Sequence, residues 1–480
     1  MIRNERQYRI TKAQLEKFER GFAARSPTPP PDIHPRIAQA QRDAISSQMD
    51  ELREELAAYD ALQSGRANVL ELASLDELPE ALIKARIAAG LTQRDLAERL
   101  QMKEQQVQRY EATNYARASL ERIREVTAAL NVHVREEVFM PGADVSVRRV
   151  LSRAASAGLS KDFVTKRILP RASREVPERP GEADALRAAG SLNRIYGWPP
   201  ATFFSNVALP TSYAGLMGAR LKLPANASTR FTEAYASYAR YLAGLVLRAT
   251  PTLPVLAIPT ASNEVRAAIL AIRGDLSFAS ALDYVWSLGV AVLPLCDKGA
   301  FHGATWRIAG RNVVVLKQGA RFEARWLHDL LHELRHGAED PDASELAFID
   351  YEALARDNGS VPAETTASLF AGDVTLDGRA EELAQHCVNE ASGKIEWLKS
   401  AVPRVAAAHG VPVDALANYM AYRLAMQGAS SWWGAATNLQ KTGADPWEVA
   451  RERLLLRLNL SELDDTERAL LLRALEGNTT

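Results

Sequence analysis

The stretch WLHDLLHELRHG, Trp326 to Gly337, decides how the second half of the chain folds. It contains His332-Glu333-Leu334-Arg335-His336, and the choice lies between a metal-binding helix and an amphipathic helix that merely carries three histidines. On a helix His332 and His336 stand one turn apart, roughly 5–6 Å between Cβ atoms, which lets two imidazole nitrogens meet one tetrahedral ion. Glu333 sits beside the first imidazole, where a general base belongs. Trp326, Leu327, Leu330, Leu331 and Leu334 supply a face to bury. Three of the eight histidines fall within nine residues, and packing alone gives no reason for that. Zinc needs a third protein ligand and one open position. Downstream, GRAEELAQHCVNEASG (Gly378 to Gly393) offers Glu381 and Glu382, with His386 one turn on.

Working outward, the strings RFEARWLHDLLHELRH, EELAQHC and HGVPVDALANYMAYRLAMQG (His409 to Gly428) occur in the order and with the spacing of a known family. From about Leu282 to Gly428 the chain resembles the ImmA/IrrE zinc metallopeptidases. The resemblance implies a zincin-like α+β domain, Zn2+ held by His332 and His336, and Glu333 as catalytic glutamate. In that family the third ligand is a glutamate four positions before an Asn, usually in an Ala-Asn pair. Ala384-Gln385 takes that place here, which selects Glu381 over Glu382. Gln for Asn is a departure, as is the segment from Lys394 to Leu398. His328 reads as a packing or supporting residue of the site, His302 and His386 as surface or packing histidines, and Cys387 as a small buried side chain.

The 480 residues exceed one hydrophobic core, so several domains are expected. A net charge of −1 excludes a global basic field, and any DNA contact must come from a local patch. Two cysteines, Cys296 and Cys387, exclude a disulfide framework. No apolar run reaches the roughly 18 residues of a membrane span, and the charged N-terminus has no signal-peptide core, so a cytoplasmic location is expected.

Such a patch lies in LTQRDLAERLQMKEQQVQRYEATNYARASLERIREVTAAL. Thr92 is a cap for a helix from Gln93, and Leu96, Ala97 and Leu100 form its buried face. A second helix from about Lys103 to Tyr110 turns Val107 inward. Lys84 to Arg124 holds nine Lys or Arg against five Asp or Glu. Over about 55 residues the segment resembles the phage-repressor/Cro-like (XRE) helix-turn-helix family, carried by Thr92-Gln93, Leu96-Ala97, Val107 and Arg109-Tyr110-Glu111. Gln101 departs from the glycine usual in the turn, at a conformational cost. The resemblance places the second helix in the major groove of double-stranded DNA, with Glu104, Gln105 and Gln108 against base edges and Gln93, Lys103 and Arg109 near phosphate.

The remaining segments frame these two modules. RSPTPPPDIHP (Arg25 to Pro35), with five prolines, reads as an elbow. Ile45, Met49, Leu52, Leu56 and Tyr59 form a stripe for either a coiled-coil dimer or the next domain of the same chain. Gly289–Cys296, Gly303–Gly310 and Arg311–Gln318 read as strands of a small antiparallel sheet, with a hairpin turn at Ala309-Gly310-Arg311-Asn312. The chain thus reads as a mainly α, multidomain protein: N-terminal helices (1–70), helix-turn-helix (76–135), linker (136–200), helices (201–280), peptidase-like domain (281–430) and a C-terminal helical segment (431–480). Trp432, Trp433 and Trp447 in the last mark a core or an interface. The expected function is a DNA-binding regulator, a homodimer, that cleaves a repressor or toxin-like partner through zinc. The alternative is a non-catalytic, antitoxin-like repressor using the peptidase fold as sensor or dimer platform.

Overall fold

The structure, a computed structural model, describes residues 1–23, 35–64, 72, 75–134, 144–169, 181–210, 227–297, 301–349, 361–428 and 432–477. The proline-rich elbow lies almost wholly outside the described residues. The chain divides into two compact units, 1–145 with 178–190 and 146–177 with 191–480.

In the first unit, α1 (Glu5–Ala23) and α2 (Pro35–Gln63) pack together, and α3 (Leu78–Ala88), α4 (Gln93–Arg99), α5 (Glu104–Ala112) and α6 (Leu120–Ala129) follow. Thr92 closes a reciprocal capping box: its hydroxyl accepts from the Asp95 amide at 3.1 Å, and Asp95 accepts from the Thr92 amide at 2.8 Å. Leu82, Ile83, Leu96, Ala97, Val107 and Val126 fill one core. Leu56 and Tyr59 of α2 are buried in that same core, so this part of the stripe packs on its own chain. Gln101 stands at φ 53°, the left-handed conformation that glycine adopts without strain. Gln101→Gly is therefore expected to stabilise this unit by about 1 kcal/mol, read as slower amide exchange in α4 and α5.

The same unit holds a buried ion pair. Arg86 grips Glu111 with Nε–Oε1 at 2.6 Å and Nη2–Oε2 at 2.8 Å, their side chains 3% and 0% exposed. Arg86 also donates to the carbonyls of Leu91 and Arg3, both at 2.7 Å, so it joins α3, α5 and the N-terminus.

The second unit is built around four strands: β1 (Ala291–Pro294), β2 (Gly303–Ile308), β3 (Arg311–Leu316) and β4 (Leu346–Ile349), in the order β1-β3-β2-β4. The sheet is mixed, which corrects the antiparallel expectation. The β2–β3 hairpin reverses the chain, and β1 pairs with the far edge of β3 in parallel. Ala309 and Gly310, at φ 50° and 78°, form the two-residue turn. The helix Glu323–Gly337, which carries the histidines, packs on β2 and β3 and is flanked by the helices Val361–Thr375 and Val413–Met426. Trp432 and Trp447 are buried, and the Arg325 guanidinium lies 3.6 Å from the centre of the Trp433 ring, so these aromatics serve packing. Among the described residues no helix is long and apolar enough to cross a membrane.

Candidate functional site

In Glu323–Gly337 the leucines Leu327, Leu330, Leu331 and Leu334 are buried, and His328, His332, Glu333 and His336 are buried with them. The Nε2 atoms of His332 and His336 face each other at 3.1 Å. From the helix Val361–Thr375, Glu364 places Oε2 3.1 Å from His332 Nε2 and Oε1 3.5 Å from His336 Nε2. One donor atom from each of the three groups lies within 4.8 Å of the others. Two imidazole nitrogens at this distance cannot both carry protons toward each other. Tetrahedral zinc, with Zn–N of roughly 2.0–2.1 Å, sets its nitrogens about 3.3 Å apart, so the donor set fits such an ion.

The neighbours hold these donors in place. Ser368, one turn after Glu364, lies with Oγ 3.2 Å from His332 Nδ1, placed to accept from Nδ1–H in the tautomer that frees Nε2 for a ligand bond. The His336 ring stacks on Phe348 of β4 at 4.5 Å. Burial pushes the Glu364 carboxyl up, but its hydrogen bonds with the imidazoles of His332 and His336 hold it well below the usual carboxylate range. It is an anionic group.

Glu333 points toward the sheet. Its Oε2 accepts from the Thr305 hydroxyl at 2.7 Å, and a Cβ at Gly303 would stand 2.2 Å from its Oε1. The glycine is the space the carboxylate occupies. Among the described residues neither ring nitrogen of His328 has a hydrogen-bond partner, although Asp329 Oδ1 lies 3.9 Å from Nδ1. The His328 ring stacks on Tyr422 at 4.0 Å, and burial pushes its pKa down to about 4. It supports the site as a neutral packing ring.

Glu381 is not at this centre. It faces outward from the helix Ala380–Glu390, whose inward positions are Leu383, Ala384 and Cys387, and it pairs with Arg423 at 2.6 Å and accepts from the Tyr419 hydroxyl at 3.1 Å. Glu382 and His386, on the same helix, approach His409 instead. His302 is half-buried, and its carbonyl accepts from the Lys317 amide. The carboxylate beside the histidine pair is Glu364. A signal for it is in the sequence: Glu364 stands four positions before Ser368 in an Ala367-Ser368 pair, the same spacing that selected Glu381 before Ala384-Gln385.

On α5, Val107 is buried and Glu104, Gln105, Gln108 and Arg109 are exposed, as is Lys103 at its N-cap. Gln108 donates to Glu104 at 2.9 Å, a pair that a base edge can displace. Gln93 is different: its amide donates to Glu111 at 2.8 Å, which commits the side chain to the interior ion pair.

A helix-turn-helix family model matches residues 82–136. That match identifies this segment as a helix-turn-helix module and supports a DNA-binding transcription regulator. Neither the curated proteins nor the solved structures contain a match to the chain.

Proposed function

We propose that this chain is a transcription regulator whose second unit is a zinc-dependent endopeptidase of the ImmA/IrrE kind, directed at a protein partner such as a repressor. The observation that carries the reading is the convergence of His332, His336 and Glu364 beside Glu333. Two imidazoles and one carboxylate from a second helix are the ligand set of a hydrolytic zinc site with one position open. Bound zinc supplies Lewis-acid polarisation of a carbonyl group and acidifies water.

The chain's own groups do the rest. His332 and His336 would hold the ion as neutral donors, with the Ser368 hydroxyl accepting from His332 Nδ1–H. Glu364 contributes the negative charge. Glu333 is the proton acceptor and later returns the proton to the leaving amine. Thr305 and the bare backbone at Gly303 restrict its carboxylate to one position. The hydrolytic reading is tested by incubating the zinc-loaded chain with helix-turn-helix repressors and mapping new termini by mass spectrometry. Defined cleavage sites support it. Intact partners throughout would reject it.

For the first unit, α5 is the recognition helix and Arg109 and Lys103 are phosphate contacts. A homodimer would let two such helices read half-sites about one DNA turn apart. Arg109→Ala should weaken duplex binding for all sequences alike and lower the slope of log K against log salt by about 1. Fluorescence anisotropy across a salt series measures both.

A further inference from the structure

Outside the centre just described, a second group of metal-ligating side chains lies on the same unit. His386 Nδ1 and His409 Nε2 face each other at 3.1 Å, with their ring centres 5.0 Å apart. A carboxylate oxygen of Glu382 lies within 4.8 Å of one ring nitrogen of each imidazole. We propose that Glu382, His386 and His409 form a second, solvent-open site for a late first-row transition cation (Zn2+, Ni2+ or Cu2+).

Three features of the chain prepare it. Glu382 and His386 are one helical turn apart on Ala380–Glu390, so their donors project side by side. His409 is the last residue of the helix Leu398–His409, at the negative end of its dipole, where a cation is favoured. Gly410, left-handed at φ 66°, ends that helix and fixes where the imidazole stands. The two helices are held rigidly by a shared apolar core of Leu383, Cys387, Ala401, Val402, Val405 and Ala406, so little ordering remains to be done on binding. Neither imidazole has another hydrogen-bonding partner among the described residues. The two imidazoles open onto a cavity of about 470 Å³, also lined by Asn389, Glu390 and Arg404, which is the path for ion entry.

Two nitrogens and one carboxylate match the preference of imidazole for zinc, copper and nickel, and disfavour magnesium and calcium, which take all-oxygen shells. An ion here bridges two helices and keeps coordination positions for water or an external donor. Its role is therefore a reversible clamp rather than a closed structural site.

The test is isothermal titration with Ni2+ of the full-length chain carrying a single equivalent of zinc, as the wild type and as the single variants His386→Ala, His409→Ala and Glu382→Gln. The wild type should bind one further Ni2+, and either histidine change should weaken that event at least about tenfold. Cu2+ paramagnetic resonance should show nitrogen coupling that His386→Ala reduces. Ni2+ binding that all three variants leave unchanged, or the absence of a further binding event in the wild type, would mean that the two imidazoles only share a hydrogen bond. The parallel titration of His336→Ala, in which the exposed event persists, separates this site from the buried one.

Discussion

On the hydrolytic reading proposed above, Glu333→Gln should leave zinc in place and slow hydrolysis steeply. The amide keeps the size of the side chain and a hydrogen bond with Thr305, and Gly303 still leaves room for it. What it loses is the capacity to accept a proton. General-base catalysis contributes typically about 10²–10⁴-fold, so kcat should fall by that range with KM little changed, because a group acting in the transition state affects kcat and kcat/KM together. Single-turnover cleavage, with metal content measured on the same sample, gives both numbers. Equal loss of metal and activity would show that Glu333 is a structural support of the site, and unchanged activity would remove it from the mechanism.

The second large effect is on stability. Arg86→Met leaves the Glu111 carboxylate, 0% exposed, without its bidentate partner, and Gln93 alone cannot neutralise it. Breaking one side of a buried pair costs about 3–5 kcal/mol, a large share of the roughly 5–15 kcal/mol that holds a domain together. Amide exchange in α3 to α5 should accelerate by two orders of magnitude or more, and duplex binding should fall with it. The double change Arg86→Met with Glu111→Leu should recover most of the loss, since well-packed apolar residues can replace such a pair. If the double variant is as unstable as the single one, the hydrogen bonds from Arg86 to Leu91 and Arg3 are the larger contribution.

These two sites differ in how far the sequence exposed them. The helix-turn-helix unit was legible because its signals are local: Thr92 with Asp95 three residues on, the apolar period of Leu96, Ala97 and Val107, and a residue in the turn that has to be left-handed. The histidine pair was legible for the same reason, being fixed by one turn of one helix. The third carboxylate was not, because it arrives from another helix, and spacing rules offer several glutamates without saying which face each occupies. Glu381 lost to Glu364 because Leu383, Ala384 and Cys387 claim the buried side of its helix. Parallel pairing of β1 escaped notice for a related reason: a short apolar run specifies a strand but not its neighbour. Four-residue β4, half-exposed at the sheet edge, has too little pattern to stand out. The stripe on α2 was ambiguous in sequence, and the burial of Leu56 and Tyr59 beside Leu82 resolves that part in favour of packing within the chain.

The claim on which the hydrolytic account rests is that Glu364, with His332 and His336, completes a metal centre. It is tested most directly by the zinc content of purified chain carrying His409→Ala, so that the exposed site cannot contribute, compared with the same chain bearing Glu364→Ala or Glu381→Ala. The account predicts about one zinc per chain in the parent, the same in Glu381→Ala, and loss of bound zinc in Glu364→Ala after brief exposure to a weak chelator. Zinc retained without Glu364, or lost on replacing Glu381, would contradict it.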